Sequence, residues 1–196
     1  MSRSRRKQTP RPPAPRSLKR IGQSWYESKA PLFQFCLKFC ASLAVLYALT
    51  FTPACQRLVA ISSLANARLA SAILDRIGEN TQVTGATIWS PRYAVTVLPA
   101  CSAIEFLIFF GATIAAFPSR MARKIPGLLL GIPALLALNQ VRILSLYYIG
   151  AHFPRSFDSV HENWWGILLI IAEVVLCMTW MEWAREKDQP AADAPA

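Results

Sequence analysis

The chain has 196 residues, enough for one domain, and 54% of them are hydrophobic, compared with about 45–50% in soluble domains. This excess disfavours a soluble fold. Nine of the 21 Lys and Arg residues lie within residues 1–31 beside a single acid, Glu27, so most of the net charge of +10 belongs to an amino-terminal arm. Because long apolar runs follow, we interpret this arm as charge held at the cytoplasmic face of a membrane, and we expect no nucleic-acid partner.

Residues 1–31 carry five prolines and dispersed basic residues, with too little apolar surface to offset the entropy of ordering. We predict a disordered, basic cytoplasmic arm. Residues 32–51 form an apolar run that, at about 1.5 Å per residue, just crosses a hydrocarbon core of about 30 Å. We predict the first transmembrane helix there. A cleaved signal peptide is the alternative, and the lack of an A-x-A site after the run disfavours it.

The stretch 57–78 is helix-like and fairly apolar. Its apolar residues recur at steps of three and four positions, separated by the polar residues Ser62, Ser63, Asn66 and Asp75. This pattern predicts a helix lying on the outer interface, and the alternative is a fifth span. Residues 81–98 change to β-branched and aromatic residues around the turn signal Ser90-Pro91. We predict a short outer β-hairpin there.

Three further apolar runs are candidate spans, at residues 101–117, 126–149 and 164–183. Together with the first run they predict an all-α polytopic membrane protein with about four transmembrane helices, in addition to the interfacial helix and the hairpin. The membrane-embedded domain then covers residues 32–183, and residues 184–196 form a cytoplasmic tail.

The charge of the loops sets the predicted orientation. Residues 118–125 contain three basic residues and no acid, whereas residues 152–163 contain one arginine against two acids. The positive-inside rule therefore places the first loop in the cytoplasm and the second outside. With the basic arm inside as well, we expect both termini in the cytoplasm and residues 52–100 on the outer side.

Few ionisable residues lie within or beside the predicted spans, and each is costly there. Arg142 lies about 24 Å along its helix from Pro126, counted at about 1.5 Å per residue, which places it in the outer leaflet. Asn139 is one turn earlier and Ser145 nearly one turn later, so the guanidinium has polar neighbours. Two interpretations stay open: a functional cation, or a snorkelling arginine that marks the interface.

Among the five cysteines, only Cys101 has an electropositive placement. Pro99 favours a helix start near it, which would bring the sulfur beside unpaired N–H groups and the positive end of a helix dipole. Both effects favour the thiolate. A cysteine in an apolar segment is more often an inert hydrophobe, as we interpret Cys36, Cys40 and Cys177. The absence of a CxxC pair argues against a disulfide scaffold, a zinc ribbon or a thioredoxin-like pair, and we expect no metal and no cofactor.

His161 lies in the segment SFDSVHENWW, just outside the last predicted span. Ser159 and Glu162 have capping-box spacing, which predicts His161 in the first turn of the final helix. A helix N-terminus disfavours imidazolium, so the ring would be neutral and able to accept a proton. The alternative is a solvated loop histidine. HEN does not extend to HExxH, which excludes a zinc-protease motif.

Two acidic residues, Glu105 and Glu173, also lie within the predicted spans. Glu105 is one turn below Cys101, where we expect it to orient a partner or to pair with Arg142, whereas Glu173 lies mid-span, where a structural hydrogen bond between helices is expected. The predicted topology brings Cys101, Arg142 and His161 from three helices to one leaflet. A nucleophile, a base and a cation for an oxyanion are what acyl transfer requires.

Three segments contain these residues, in the order PACSAIEFLIFFGATIAAFP, GLLLGIPALLALNQVRILSLYYIG and FDSVHENWW. They resemble the exosortase and archaeosortase family of membrane-embedded cysteine transpeptidases, and most closely the exosortase H branch. The resemblance covers roughly residues 95–170. One departure is CSA at residues 101–103, where many exosortases have CSG.

The resemblance implies that Cys101, Arg142 and His161 are the catalytic residues. Asn139, Glu105 and Ser102 are candidates for supporting or substrate-binding roles. The implied partners are exported proteins with a C-terminal sorting signal, made of a short motif, a transmembrane helix and an Arg-rich end, of the IPTL type in this branch. Such enzymes cleave near the motif and pass the protein to an envelope acceptor, from the outer face of the bacterial cytoplasmic membrane.

Two other functions remain open from the residues. A non-catalytic membrane assembly or anchoring subunit would use its buried charges, Arg142, Glu105 and Glu173, only to join helices. A thiol redox membrane protein would need a resolving cysteine near Cys101, and Cys55 is the only outward candidate.

Overall fold

The computed structural model describes residues 18–188, and the chain divides into two units, residues 1–34 and 35–196. The described part of the first unit is the amino-terminal portion of one long helix, and the second unit contains the rest of that helix and all later elements. The helices are α1 (Leu18–Thr50), α2 (Pro53–Ile77), α3 (Ile104–Ala116), α4 (Met121–His152), α5 (Phe157–Ser159) and α6 (Trp165–Asp188). The strands are β1 (Gln82–Thr84), β2 (Thr87–Trp89) and β3 (Ala94–Thr96).

Both ends of the chain are more helical than predicted. Helix α1 begins at Leu18, so residues 18–31 are helical rather than disordered, while residues 1–17 lie outside the described part. Four of the five prolines of the arm lie at positions 10–15, and the segment after them is rich in residues that tolerate a helix. Helix α6 runs on to Asp188, and the rest of the predicted tail is not described.

Four helices of the described part are long and apolar enough to cross a membrane, as predicted, and three of them correspond to predicted spans. They cover residues 29–50, 53–77, 121–152 and 154–186. The predicted span at 101–117 contains only the 13-residue helix α3, which is about 20 Å long at about 1.5 Å per residue. It is short because a 3₁₀ turn at Pro99–Cys101 and a left-handed residue, Ala103, precede the first α-helical turn.

Helix α2, predicted to lie on the interface, has 25 residues and is the fourth helix that could span a membrane by its length and composition alone. Its buried face is small and polar and includes Ser63, Asn66, Ala67, Ala70 and Ser71. Large apolar residues such as Leu58 and Ile61 lie on the outer surface of the protein. Small and polar residues between helices with apolar residues outside are typical of membrane helices. The polar stripe therefore faces the rest of the protein.

The predicted β-hairpin is present and extends to a three-stranded antiparallel sheet in the order β1-β2-β3. Ile88 of β2 pairs with Val83 of β1 and with Val95 of β3. The sheet is joined to α4 through Tyr147, whose hydroxyl donates to Glu79 Oε2 (2.9 Å) and lies 2.7 Å from Ser90 Oγ. These contacts hold the sheet beside the carboxyl-terminal half of α4.

Helices α3, α4 and α6 pack through a separate apolar cluster that contains Phe110 and Trp180. Two glycines of α4 allow this close approach, because a Cβ at Gly131 would collide with the Phe110 ring and a Cβ at Gly127 with the Trp180 ring. The small-xxx-small spacing of these glycines is a common device for packing membrane helices. It sets the separation of the helices that carry the candidate site.

Candidate active site

Cys101 and His161, 60 residues apart in the chain, are in contact. The Sγ atom of Cys101 lies 3.3 Å from Nε2 of His161, within hydrogen-bonding distance for sulfur. Cys101 is the last residue of the 3₁₀ turn that precedes α3, and its side chain is buried. The pair therefore sits where the connection from the sheet meets the segment that leads into α6.

The predicted helix start at Pro99 is not observed, because α3 begins three residues after Cys101. Contacts from other helices hold the cysteine instead. Asn139 of α4 donates from Nδ2 to the Cys101 carbonyl (3.0 Å), and Ser62 of α2 donates to the Ser102 carbonyl (3.4 Å). The Ser102 hydroxyl itself donates to the Pro99 carbonyl (2.6 Å). The carbonyl groups of Cys101 and Ser102 are thus bound from neighbouring helices. We call residues 99–102 the nucleophile turn, after the role predicted for Cys101.

Ala103 is the alanine of the CSA segment, at the position where many exosortases have glycine. Its backbone is left-handed, with φ 67° and ψ 0°, and its side chain is buried. Only glycine adopts this conformation without a steric cost, which is about 1–2 kcal/mol for other L-residues. A glycine at this position would therefore suit the turn, and this chain carries an alanine there at a cost.

His161 lies in a π-helical turn, Val160–Trp164, that joins α5 to α6. The predicted capping box is not formed: Ser159 is itself helical (φ −61°, ψ −40°), and its side chain makes no capping hydrogen bond. The helix starts earlier than predicted, so Ser159 has no free first turn to cap. The imidazole stacks on the Phe157 ring, with centroids 5.7 Å apart and planes 8° apart. Phe157 therefore orients the ring, and π turns of this kind are frequent at functional sites.

Arg142 is buried, at 8% exposure, and lines the same cavity as the cysteine and the histidine. Its Nε atom has no hydrogen-bond partner among the described residues. The cavity measures ≈ 30 Å³, somewhat more than the roughly 10–15 Å³ that one water needs. An arginine that is buried and lines this small cavity does not have the placement of a snorkelling side chain. The three residues predicted to meet are thus brought to one small cavity.

The comparison with known families agrees with this geometry. A family model described as "Transmembrane exosortase (Exosortase_EpsH)" matches residues 33–181, about three quarters of the chain. The chain belongs to the transmembrane exosortase family. No curated protein and no solved structure matches it. The family prediction is confirmed, and so are the multi-pass membrane character and a transpeptidase-like role in general.

The roles of the individual residues in this exosortase stay predictions, as does its assignment to the exosortase H branch. The geometry nevertheless separates the supporting candidates. Asn139 and Ser102 belong to the hydrogen-bonded frame of the nucleophile turn. Glu105 does not: its side chain is exposed and makes no ion pair with Arg142 in the described part of the chain. The left-handed residue between Cys101 and Glu105 breaks the helical periodicity on which that prediction relied.

Glu173 lies away from the site of this exosortase. It is buried on α6 beside the backbone of Phe110, and its Oε1 atom has no partner in the described region. Sequence reasoning missed two residues that the exosortase places at the site, Ser62 and Phe157. The four-residue spacing of Phe157 and His161 places both side chains on one face of a helix, and it could have predicted that their rings stack. Ser62 had no such signal, because its partner lies 40 residues away.

Proposed function

We propose that this exosortase is a cysteine transpeptidase that cleaves the C-terminal sorting signal of exported proteins through a thioester on Cys101. The observation that carries the proposal is the 3.3 Å approach of Cys101 Sγ to His161 Nε2. A thiol in contact with an imidazole is the arrangement of an activated cysteine nucleophile. The family supplies the substrate class, and the IPTL type of signal is part of the proposal.

In the proposed first half-reaction, His161 accepts the proton of the Cys101 thiol and the thiolate attacks the scissile carbonyl carbon. The carbonyl oxygen becomes an oxyanion, which the guanidinium of Arg142 stabilises from its buried position in the same cavity. Collapse of the tetrahedral intermediate breaks the C–N bond. His161 then returns the proton to the leaving amine, and the carboxyl end of the substrate departs with the new amino terminus.

In the second half-reaction, an acceptor nucleophile attacks the thioester of Cys101. An amine or hydroxyl of an envelope acceptor gives transfer, and water gives hydrolysis. His161 removes the proton from the incoming nucleophile, and the thiolate leaves. The burial of Cys101 restricts the access of bulk water to the thioester, which favours an acceptor that binds beside it.

Replacement of the cysteine tests the proposal. We expect Cys101→Ala to abolish processing of a sorting-signal substrate while the protein remains inserted at its normal level. Cys36→Ala and Cys40→Ala are matched controls, because both side chains are exposed and lie on α1. Full processing by the Cys101→Ala variant would favour the non-catalytic assembly role. Equal losses in all three variants would indicate a folding effect.

We further propose that the site lies on the outer face of the bacterial cytoplasmic membrane, with both termini in the cytoplasm. The basic residues that follow α3 support a cytoplasmic loop there, and Cys101 lies at the other end of α3. In this proposed orientation α2 does not cross the membrane but lies on its outer side, so the sheet that follows α2 is also outside. In a chain without other cysteines, Arg92→Cys should react with a membrane-impermeant thiol reagent applied to spheroplasts. Met121→Cys, which is also an exposed position, should not react. The reverse labelling would overturn this orientation.

A further inference from the structure

Strand β3 lies at an edge of the sheet, and the edge borders the candidate active site. Among residues 18–188 the strand order is β1-β2-β3, so β3 has a partner strand on one side only. Val95, Thr96 and the following Val97 line the same cavity as Cys101 and His161. A sheet edge offers a row of unpaired main-chain N–H and C=O groups to an extended polypeptide.

The register of the sheet shows which groups of β3 point away from β2. Val97 N donates to the Ala86 carbonyl (2.9 Å), and Ser90 N donates to the Tyr93 carbonyl (3.0 Å). Hydrogen-bonded and non-bonded pairs alternate along an antiparallel ladder. The odd-numbered residues of β3 therefore bond to β2, and the main-chain groups of Ala94 and Thr96 point to the open edge. Thr96 is the closer of these two in sequence to Cys101.

The size of the cavity limits how a polypeptide substrate reaches the nucleophile. A volume of ≈ 30 Å³ accommodates one small group and excludes a peptide segment. A substrate must therefore run along the mouth of the cavity and insert a single carbonyl oxygen. A helical substrate keeps its carbonyl groups in internal hydrogen bonds, whereas an extended one presents alternate carbonyl groups to one side.

We propose that the edge of β3 binds the motif of the sorting signal as an added fourth strand. The N–H and C=O groups of Thr96 pair with the substrate backbone, and this register points the scissile carbonyl oxygen into the cavity between Cys101 and Arg142. The inference rests on the proposed peptidase function. It adds two features to that function: the substrate is extended where it is cleaved, and it is bound through its main chain. This main-chain contact does not depend on the side chains of the motif.

Substitution of Thr96 by proline tests the contact directly. Thr96→Pro removes the outward N–H and leaves the ladder to β2 intact, and edge strands tolerate proline at such positions. We expect cleavage of a synthetic sorting-signal peptide to fall about tenfold, the effect of losing one main-chain hydrogen bond of average strength or more. Thr87→Ala controls for the hydroxyl contact between Thr87 Oγ1 and Thr96 Oγ1 at 2.9 Å, and should cleave normally.

Val83→Pro is the matched control for introducing proline. By the same alternation its N–H points to the opposite edge, on β1, away from the catalytic cavity. It should cleave as the native chain does. The rate at which a small thiol reagent alkylates Cys101 reports whether the cysteine and histidine remain paired, and it should be unchanged in Thr96→Pro.

A second measurement does not depend on the folding of any variant. Peptides that carry one N-methyl group at successive positions of the motif should lose cleavage at every second position, because alternate N–H groups of an added strand face β3. Cleavage by the native chain with no such alternation, or a Thr96→Pro variant that cleaves as fast as the native chain, would overturn the strand proposal alone. So would a Thr96→Pro variant that loses only self-association, since a second copy would then occupy the edge. Failure of the native chain to cleave any such peptide or to form a thioester would instead overturn the proposed function.

Discussion

Asn139 donates a hydrogen bond from Nδ2 to the carbonyl oxygen of Cys101 at 3.0 Å, so a side chain of α4 holds the backbone of the proposed nucleophile. Asn139 is almost completely buried, and Arg142 lies three residues later on the same helix. Helix α4 thus supplies both the support of the cysteine and the cation of the site. Any shift of α4 relative to the nucleophile turn would change both together.

Removal of the Asn139 amide should impair catalysis more than binding. Asn139→Leu keeps a similar volume but loses the donor, and it leaves the Cys101 carbonyl buried without a partner, at a cost of about 1–3 kcal/mol. We expect kcat to fall about tenfold or more with little change in KM, because the cysteine is displaced while the substrate contacts remain. Steady-state kinetics on a synthetic substrate measure both constants, and a wild-type kcat would show that this hydrogen bond does not position the cysteine.

Ala103→Gly should stabilise the protein. Glycine relieves the left-handed strain at φ 67°, and after the greater flexibility of the unfolded chain is subtracted we expect a gain of about 0.5–1 kcal/mol. Ala112→Gly, at a buried position inside α3, should instead destabilise by about 1 kcal/mol. Thermal unfolding in detergent compares the two variants. Shifts of the same sign in both would contradict a strained residue 103.

Phe157→Leu should lower activity through His161. The stacked ring of Phe157 sets the orientation of the imidazole, and leucine keeps an apolar contact without the flat surface. We expect about a tenfold loss of kcat and a slower alkylation of Cys101 by a small thiol reagent. Phe153→Leu is the control, since Phe153 is exposed and lies beside His152 instead. Equal effects of the two substitutions would argue against an orienting role.

Gly131→Ala should weaken the packing of α3 on α4. A Cβ at this position meets the Phe110 ring, and overpacking of a well-filled site costs about 1–3 kcal/mol. Gly166→Ala on α6 is the matched control, because nothing lies within 4 Å of its Cβ, and helix propensity predicts a gain of up to about 1 kcal/mol. Thermal unfolding should separate the variants in opposite directions. A neutral Gly131→Ala would mean that the Phe110 ring moves aside freely.

Some residues of the candidate site could be predicted because the free-energy cost of placing them in a membrane span depends only on the segment that contains them. A charged or reactive side chain within an apolar run is expensive wherever its helix packs, and this singled out Cys101, Arg142 and His161. The predicted pairing of Glu105 with Arg142 and the predicted capping box at Ser159 are absent from the described residues for a common reason. Both predictions assumed regular helical geometry. The left-handed Ala103 interrupts the helical backbone between Cys101 and Glu105, and the α5 segment starts before Ser159, so that Ser159 is itself helical.

Hydropathy and turn residues, read along the chain, were sufficient for the helical membrane character and the hairpin, because these depend on the nature of consecutive residues. The family came from the resemblance of three segments that contain the candidate site residues. Which face of α2 is buried, and which groups bind the nucleophile turn, depended on tertiary packing. Ser62 and Asn139 reach that turn from helices 40 and 38 residues away in the chain. Such distances are set by the mutual packing of α2, α3 and α4, and periodicity within a single helix carries no information about them.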